Sequence, residues 1–453
     1  QGNFEAAHGE FDAVAFVEGV HTESRTPTAT DPTDVDQSNS QSVRAGLRKR
    51  FVTGTEVELA AETTRYDRDE PEDGLERYYN PHVALTVSQD LLDGWGIGVN
   101  RTDILLADIS RETSAATLRE TVVDLLFEVE QAYWELYYAK ADVRVRQVQL
   151  DRARKLVARA EAQARVGEAA PIDVTRAKAS AAGQEVSILE VRNRVRSLTH
   201  RLLRLMGAFE PGETPPRLSL TDAPQSVSTE AGVPQALEIA REFRPELRRT
   251  RLGMESAVFE ERRARNQCLP RLRLYGTVRA EGLDEEFRDS LDGLGDNGPG
   301  TWEAGIRFEQ PLGDRTSRGN LRTAVALRRR AEAVHEAAVE RVARELTDVI
   351  DEFDTARQRL ARAREAGILA GQLLDAEEKS FTIGRSDSLD VLSAQQAVAA
   401  AERDELRARV DVVMSHANLL RIQGNLPDAK GVVLGESFPE FSESRAAGHS
   451  EGE

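Results

Sequence analysis

Leu202-Leu203-Arg204-Leu205-Met206-Gly207 and Leu419-Leu420-Arg421-Ile422-Gln423-Gly424 close two segments of the chain in the same way, 217 residues apart. Carried backwards without a gap, that offset superposes Val166-Gly167 on Ile383-Gly384, Asp173-Val174 on Asp390-Val391, Ala177 on Ala394, Glu185 on Glu402, Leu189 on Leu406 and Arg192 on Arg409. A register kept over so many positions identifies a tandem duplication. Farther upstream, Gln89-Asp90-Leu91 matches Gln310-Pro311-Leu312 at an offset of 221, a slip of about one helical turn that a helix end absorbs.

Each half carries the apolar period of a coiled coil. Leu118, Val122, Leu125, Val129, Ala132, Leu136, Ala139, Val143, Arg146, Leu150, Ala153, Val157, Ala160 and Ala164 alternate spacings of four and three, with Arg146 the one polar break. The second half repeats the phase from Val339 through Leu346, Phe353, Leu360, Gly367 and Leu374 to Glu377 and Phe381. A short loop follows each seam, and a shorter heptad helix returns from it. The pattern predicts a long helix over 101–165 with a return helix over 171–206, and a second pair over 318–383 and 387–423. An ascending helix over 244–267 precedes the second set of strands.

Ahead of the long helices, residues alternate as strands do. Val57, Leu59 and Ala61 oppose Glu56, Glu58 and Glu62, while Val83, Leu85 and Val87 oppose Ala84, Thr86 and Ser88. With strands inside 9–91 and 269–312, residues 1–207 form one repeat and 244–424 the other. Residues 208–243 read as an irregular equatorial linker packed around the middle of the helices, 283–300 as an exposed acidic loop, and 425–453 as a polar tail.

Composition narrows the function. Sixty Lys and Arg against 78 Asp and Glu leave a net charge of −18, which argues against nucleic acid as a partner. Mean hydropathy is −0.48 and no run approaches the roughly 18 apolar residues of a membrane-spanning helix. Alternating strands leave average hydropathy low, so a membrane β-barrel stays open. The single Cys268 excludes an internal disulfide and a cluster of thiolate zinc ligands. His8, His21, His82, His200, His335, His416 and His449 lack metal-ligand spacing, and there is no phosphate-binding glycine loop or nucleophile elbow. No enzyme, metal or cofactor is expected. Tyr133, Trp134, Tyr137 and Tyr138 crowd one helix and read as packing between helices.

Together these features resemble the TolC-type outer-membrane efflux family. The carrying residues are Gln89-Asp90-Leu91-Leu92-Asp93-Gly94 and Gln310-Pro311-Leu312 where strand passes to helix, Ala132-Tyr133-Trp134-Glu135-Leu136, Arg244-Pro245-Glu246-Leu247, and the two glycine tips with Asp173 and Asp390 beyond them. The resemblance covers about Phe11 to Gly424. It implies a fold that is mainly α with membrane β: a TolC-like tandem repeat of strands plus coiled-coil helical hairpins, forming a trimeric β-barrel and an α-helical tunnel. It also implies a homotrimer in outer-membrane lipid of a Gram-negative cell, its helices extending into the periplasm. That trimer would be a passive exit duct for efflux or type I secretion, docked through a periplasmic adaptor to an inner-membrane pump of the RND or ABC type. Closure by oligomerisation follows physically as well, because open sheet edges cannot sit in lipid. The competing reading is a soluble periplasmic coiled-coil scaffold.

Two departures from the family carry expectations of their own. The ascending helix of the second half has no counterpart in the first and no signal peptide is visible, so an N-terminally trimmed fragment is expected, with an export signal and at least one helix upstream. Arg44 to Thr53 adds a strand turning at Thr53-Gly54, beyond the two per half of the family. With Arg48, Lys49 and Arg50 costly against lipid, a hairpin projecting outside the membrane is favoured over a wider barrel.

Asp173 and Asp390 follow the tip glycines by six residues, where backbone N–H groups and the helix dipole favour a carboxylate. The resemblance adds a role: copies of Asp390 ring the periplasmic mouth as a gate, with Asp173 as the repeat counterpart. The family's second acidic position is Ser393 here, and its basic latch partner falls on Ser386 beside Arg385. Val166, Gly167 and Glu168, with Ile383, Gly384 and Arg385, read as helix terminations. The resemblance assigns them adaptor docking.

Overall fold

The structure is a computed structural model and describes residues 2–27, 35–68, 76–166, 170–209, 216, 218–224, 232–296, 300–383, 385–386 and 388–432. Elements follow in the order α1 (Gly2–His8), β1 (Val14–Pro27), β2 (Val35–Arg50), β3 (Thr55–Arg68), β4 (Arg77–Asp90), α2 (Ile97–Asn100), α3 (Thr102–Arg165), α4 (Pro171–Leu205), α5 (Val233–Phe243), α6 (Pro245–Asn266), β5 (Arg271–Glu281), α7 (Phe287–Asp296), β6 (Thr301–Glu309), α8 (Arg315–Thr382), α9 (Ser388–Gln423) and α10 (Leu426–Ala429). The 64 residues of α3 and 68 of α8 extend about 96 and 102 Å at ~1.5 Å per residue. The chain divides into two units, residues 1–114 with 250–335 and residues 115–249 with 336–453.

The first unit is built on one antiparallel sheet in the order β1-β2-β3-β4-β5-β6. Its register aligns the alternation of all six strands. Leu47, Leu59, Leu85, Val278 and Trp302 face one another across neighbouring strands, as do Ala45, Ala61, Val83 and Ala280. Because side chains alternate with period two, the opposite face collects Arg44, Arg48, Glu58, Glu62, His82, Thr86, Thr277 and Arg279. There Arg48 Nε donates to Glu58 at 2.7 Å, Arg273 to Asp90 at 2.7 Å, and the Thr86 and Thr277 hydroxyls lie 3.1 Å apart.

The segment expected to project as a hairpin is instead continuous with the sheet. Residues 44–53 belong to β2 and its turn, and β2 is hydrogen-bonded between β1 and β3. The basic run is accommodated because strand alternation splits it. Arg48 turns to the charged face, Arg50 bonds Glu10 and Asn100, and Lys49 sits at the strand end with its ammonium 5.5 Å from the Phe51 ring centre. The turn closes through Gly54 N to Phe51 O, with Gly54 at φ +84.

The 283–300 stretch, expected to be loop, contains α7, and Ser290 on it is fully buried. Backbone bonds Gly282 N to Pro81 O and Tyr79 N to Asp284 O carry the β4 pairing beyond β5. The strand-to-helix motif is knitted by two asparagines: Asn266 Oδ1 accepts from Gly94 N, its Nδ2 donates to Leu92 O, and Asn100 Nδ2 donates to Gly94 O. Cys268, half-buried, directs its thiol at Ala264 O.

In the second unit the hairpins α3–α4 and α8–α9 pack along their heptad seams. Ala132 and Leu136 meet Leu202, Phe353 and Ala356 meet Val412, and Leu374 meets Ala394 and Val398. Arg146, the polar break, is explained by a bond from its Nε to buried Asp142 at 3.0 Å. The start of the predicted seam is displaced: Leu118 and Leu125 are exposed, whereas Ala116 and Val123 are buried. At ~100° per residue Ala116 and Val123 stand roughly 140–160° round the helix from Leu118, so this stretch of α3 buries the face opposite the predicted stripe.

The linker is only partly irregular. Within 208–243, α5 inserts Ala236 and Ala240, both fully buried, against Val342, Leu346, Leu419 and Ile422. Lys140 donates to Leu218 O, and Asp222 N to the Tyr133 hydroxyl at 3.0 Å, which pins the preceding segment on α3. The tail likewise begins with α10, whose Leu426 and Pro427 are buried; residues 433–453 lie outside the described residues.

The paired closing motifs are helix stops. Ala208 N reaches Leu203 O at 2.8 Å and Asn425 N reaches Leu420 O at 3.2 Å, with Gly207 at φ +69 and Gly424 at φ +81. These are glycine caps in left-handed conformation. Their surroundings differ, since a Cβ on Gly424 would stand 2.6 Å from Phe243 O and 2.7 Å from Arg244 Cα, while Gly207 has open space. Gly207→Ala is expected to cost about 1 kcal/mol for the left-handed residue alone, and Gly424→Ala roughly 3 kcal/mol or more once the backbone clash is added. Urea unfolding of the two variants tests this; equal losses would refute the packing difference.

Candidate functional site

Two surfaces carry the chemistry. One is the apolar face of the sheet, where Val17, Val43, Leu47, Leu59, Val83, Leu85, Val87, Leu274, Val278, Ile306 and Phe308 are all exposed and Trp302 is 79% exposed. An apolar face this broad, backed by a face of arginine, glutamate and threonine, is the two-sided pattern of strands between lipid and a water-filled lumen. At the foot of the charged face, Arg50, Asp90, Asp93, Arg271, Arg273 and Arg307 line a cavity of about 330 Å³. No described helix is long and apolar enough to cross a membrane.

The other surface is the pair of hairpin tips in the second unit. They lie side by side: Leu392 packs on Leu156, Ala160 and Ala177, and the Arg159 guanidinium stands 5.8 Å from the Phe381 ring centre. Val166 and Ile172 are exposed at one tip, and Ile383 and Leu389 at the equivalent positions of the other. Helix α8 ends with Ile383 N on Lys379 O and Arg385 N on Ser380 O. Gly167, Glu168 and Gly384 lie outside the described residues.

The two tip aspartates both occupy the first turn of a return helix, but their surroundings differ. Asp173 is half-buried, with Arg176 Nη1 3.5 Å from its Oδ1. Asp390 is exposed and has the Ser386 hydroxyl 3.3 Å from its Oδ2. That hydroxyl also lies 2.7 Å from Glu377 Oε2. Having one proton, it donates to one carboxylate at a time. Ser386 thus stands between two acids. Ser393 and Arg385 are exposed. Glu377 is a charged residue in an otherwise apolar seam, the one signal in the sequence for this contact.

The aromatic group packs between helices. Trp134 is buried, edge-on to Tyr133 and Tyr137 at 5.1 and 5.7 Å between ring centres, and burial raises the Tyr138 hydroxyl above the usual phenol range. Burial likewise pulls Lys140 below the usual ammonium range. Glu135 ties three helices, accepting from Arg194 on α4 at 3.1 Å and from Arg407 on α9 at 2.8 Å. Arg244 forms a similar weld, donating to Glu246 at 2.9 Å, Glu345 at 2.7 Å and Ile422 O at 2.8 Å. Among the described residues no group of three or more His, Cys, Asp and Glu side chains is placed to hold a metal ion.

A sheet apolar on one side and charged on the other, in one chain with two copies of a long helical hairpin, defines an outer-membrane channel of the duplicated-hairpin class. The chain belongs to the outer membrane efflux protein family, which matches residues 55–208 and 236–425 and so takes in both repeats. It is 25% identical over 366 residues to outer membrane efflux protein BepC of Brucella suis biovar 1 (strain 1330), across 79% of this chain and 75% of BepC. Among solved structures, the fold is shared with the outer membrane protein VceC of Vibrio cholerae (TM-score 0.62, 19% identity, 94% of this chain and 90% of that one). It is shared also with the open-state MtrE outer membrane channel of Neisseria gonorrhoeae (TM-score 0.63, 16% identity, 93% and 82%). The protein is an outer-membrane efflux channel, not a soluble scaffold, and its family is one of ducts rather than enzymes.

Proposed function

We propose that three copies assemble into a passive exit duct: the sheets close in the outer membrane, the hairpins line a periplasmic tunnel, and an adaptor engages the tips to connect an inner-membrane pump. The observation that carries this reading is the exposed apolar face, which needs lipid on one side, while the charged face needs water on the other. Exposed Leu118, Leu125, Ile368, Leu369 and Leu373 on the long helices leave apolar stripes for neighbouring copies to cover. Val166 and Ile172, with Ile383 and Leu389, supply apolar anchors for the adaptor, and energy for transport comes from the pump. Mass measurement of the detergent-purified full chain tests the assembly. Three chains support it; a monodisperse monomer without detergent would overturn it.

Within that duct, Asp390 forms the aperture ring and Glu377 a second acidic position joined to it through Ser386. Asp390→Ala should weaken block by a trivalent cation about tenfold or more in planar-bilayer recordings, since each lost carboxylate near the ion is worth about 1 kcal/mol even in water-like dielectric. Unchanged block would discard the ring.

A further inference from the structure

We propose that the barrel is closed by β6 of one copy pairing antiparallel with β1 of the next, so that three copies form an eighteen-stranded barrel rather than one of twelve strands. The number of copies rests on the duct reading above; the identity of the pairing edges does not.

A twelve-stranded barrel would use only β3 to β6 of each chain and would require β6 to reach the outer edge of β3. That edge is taken. It is hydrogen-bonded to β2 from Ser38 opposite Arg68 to Arg50 opposite Glu56. Among the described residues, the two edges left without a strand are β1 and β6, the ends of the order β1-β2-β3-β4-β5-β6. In an antiparallel order of six the first and last strands run in opposite directions, so β6 meets a neighbouring β1 antiparallel, like every other pair in the sheet.

Both faces of the sheet continue onto β1. Ala15 and Val17 stand opposite Leu47 and Ala45 on the apolar side. Phe16 turns to the charged side, with the Arg44 and Arg48 guanidiniums 5.6 and 5.5 Å from its ring centre. A hairpin lying outside the membrane has no reason to match both faces of a membrane sheet. Val17 is 78% exposed at one edge strand, and Ile306 and Phe308 are 69% and 62% exposed at the other. In hydrocarbon each unpaired backbone N–H or C=O costs several kcal/mol, so these edges must find a strand. With strands about 4.8 Å apart and tilted about 40°, eighteen close at a backbone diameter of about 36 Å, against about 24 Å for twelve.

Paired cysteines in the full chain, carrying Cys268→Ser, test the edges. Glu18, Val20 or Thr22 on β1 is combined with Glu303 or Arg307 on β6, and Glu58, Glu62 or Thr64 on β3 is combined with the same two. After oxidation in outer membranes, at least one β1–β6 pair is expected to convert most of the chain to covalent multimers on denaturing gels, and every β3–β6 pair to leave monomer. Cross-linking of β3 to β6, or of no β1–β6 pair in a complex whose mass is three chains, overturns the proposal. A mass other than three chains overturns the duct reading instead, while the cross-links still report which edges meet. As a second measure, a fluorophore at Val17→Cys should be quenched by brominated lipid as strongly as one at Leu85→Cys. Quenching of the Val17 probe by aqueous iodide instead would place β1 outside the barrel and refute eighteen strands.

Discussion

Leu85→Arg is expected to abolish stable insertion of the chain into the outer membrane, while Ser88→Arg, three residues along the same strand, leaves it intact. Leu85 is exposed on the apolar face between Leu59 and Val278, so an arginine there meets hydrocarbon. Such a substitution costs about 2–4 kcal/mol per chain near the bilayer midplane. Ser88 points the other way and lies opposite Glu56, which can take the new charge as a partner. Membrane fractionation and resistance of the assembled oligomer to detergent measure both variants. Equal tolerance of the two would mean that the apolar face does not meet lipid.

Arg244→Ala is expected to lower the stability of the folded chain by about 3 kcal/mol, more than an exposed ion pair ever contributes. The Arg244 side chain is only 15% exposed and binds two carboxylates from different helices as well as the carbonyl of Ile422, next to the Gly424 cap. Its removal leaves Glu246 and Glu345 without their shared cation and takes one anchor from the end of α9, although Arg341 still donates to Glu246 at 2.6 Å and Arg119 to Gly424 O at 3.4 Å. Arg244→Lys keeps the charge but loses the fork that serves several acceptors, so it should recover only part of the loss. Urea unfolding of the detergent-solubilised full chain reads both. A loss under about 1 kcal/mol for the alanine variant would show that the cluster behaves as an ordinary surface pair.

The long helices were legible because a seam of small and branched residues every three or four positions has no other stable reading, and the glycines at 207 and 424 mark their ends through backbone geometry alone. The strands of β3 and β4 were legible for the same kind of reason, their alternation being strict. The failures have physical causes too. In β2 the run Arg48-Lys49-Arg50 looks hostile to a membrane when read as a block, yet strand geometry sends Arg48 to the charged face, where its Glu58 partner belongs to a strand paired by register. Helix α5 is short and flanked by polar sequence; what makes it a structural element is Ala236 and Ala240 fitting against Leu346 and Leu419, residues distant in the chain. The Ser386 contact with Glu377 joins positions nine apart across a helix end, a proximity that periodicity does not encode.

Duplication, helix phase, strand alternation and the membrane character of one sheet face are local properties, carried by spacing and side-chain type, and the amino-acid sequence alone determined them. Strand order, the pairing that places β2 beside β3, the partners of Arg244 and Glu135, and the two edges left open on β1 and β6 depend on residues far apart in the chain coming together. Hydrogen-bond register and close packing select among arrangements that the local pattern satisfies equally well, and that choice belonged to the tertiary structure.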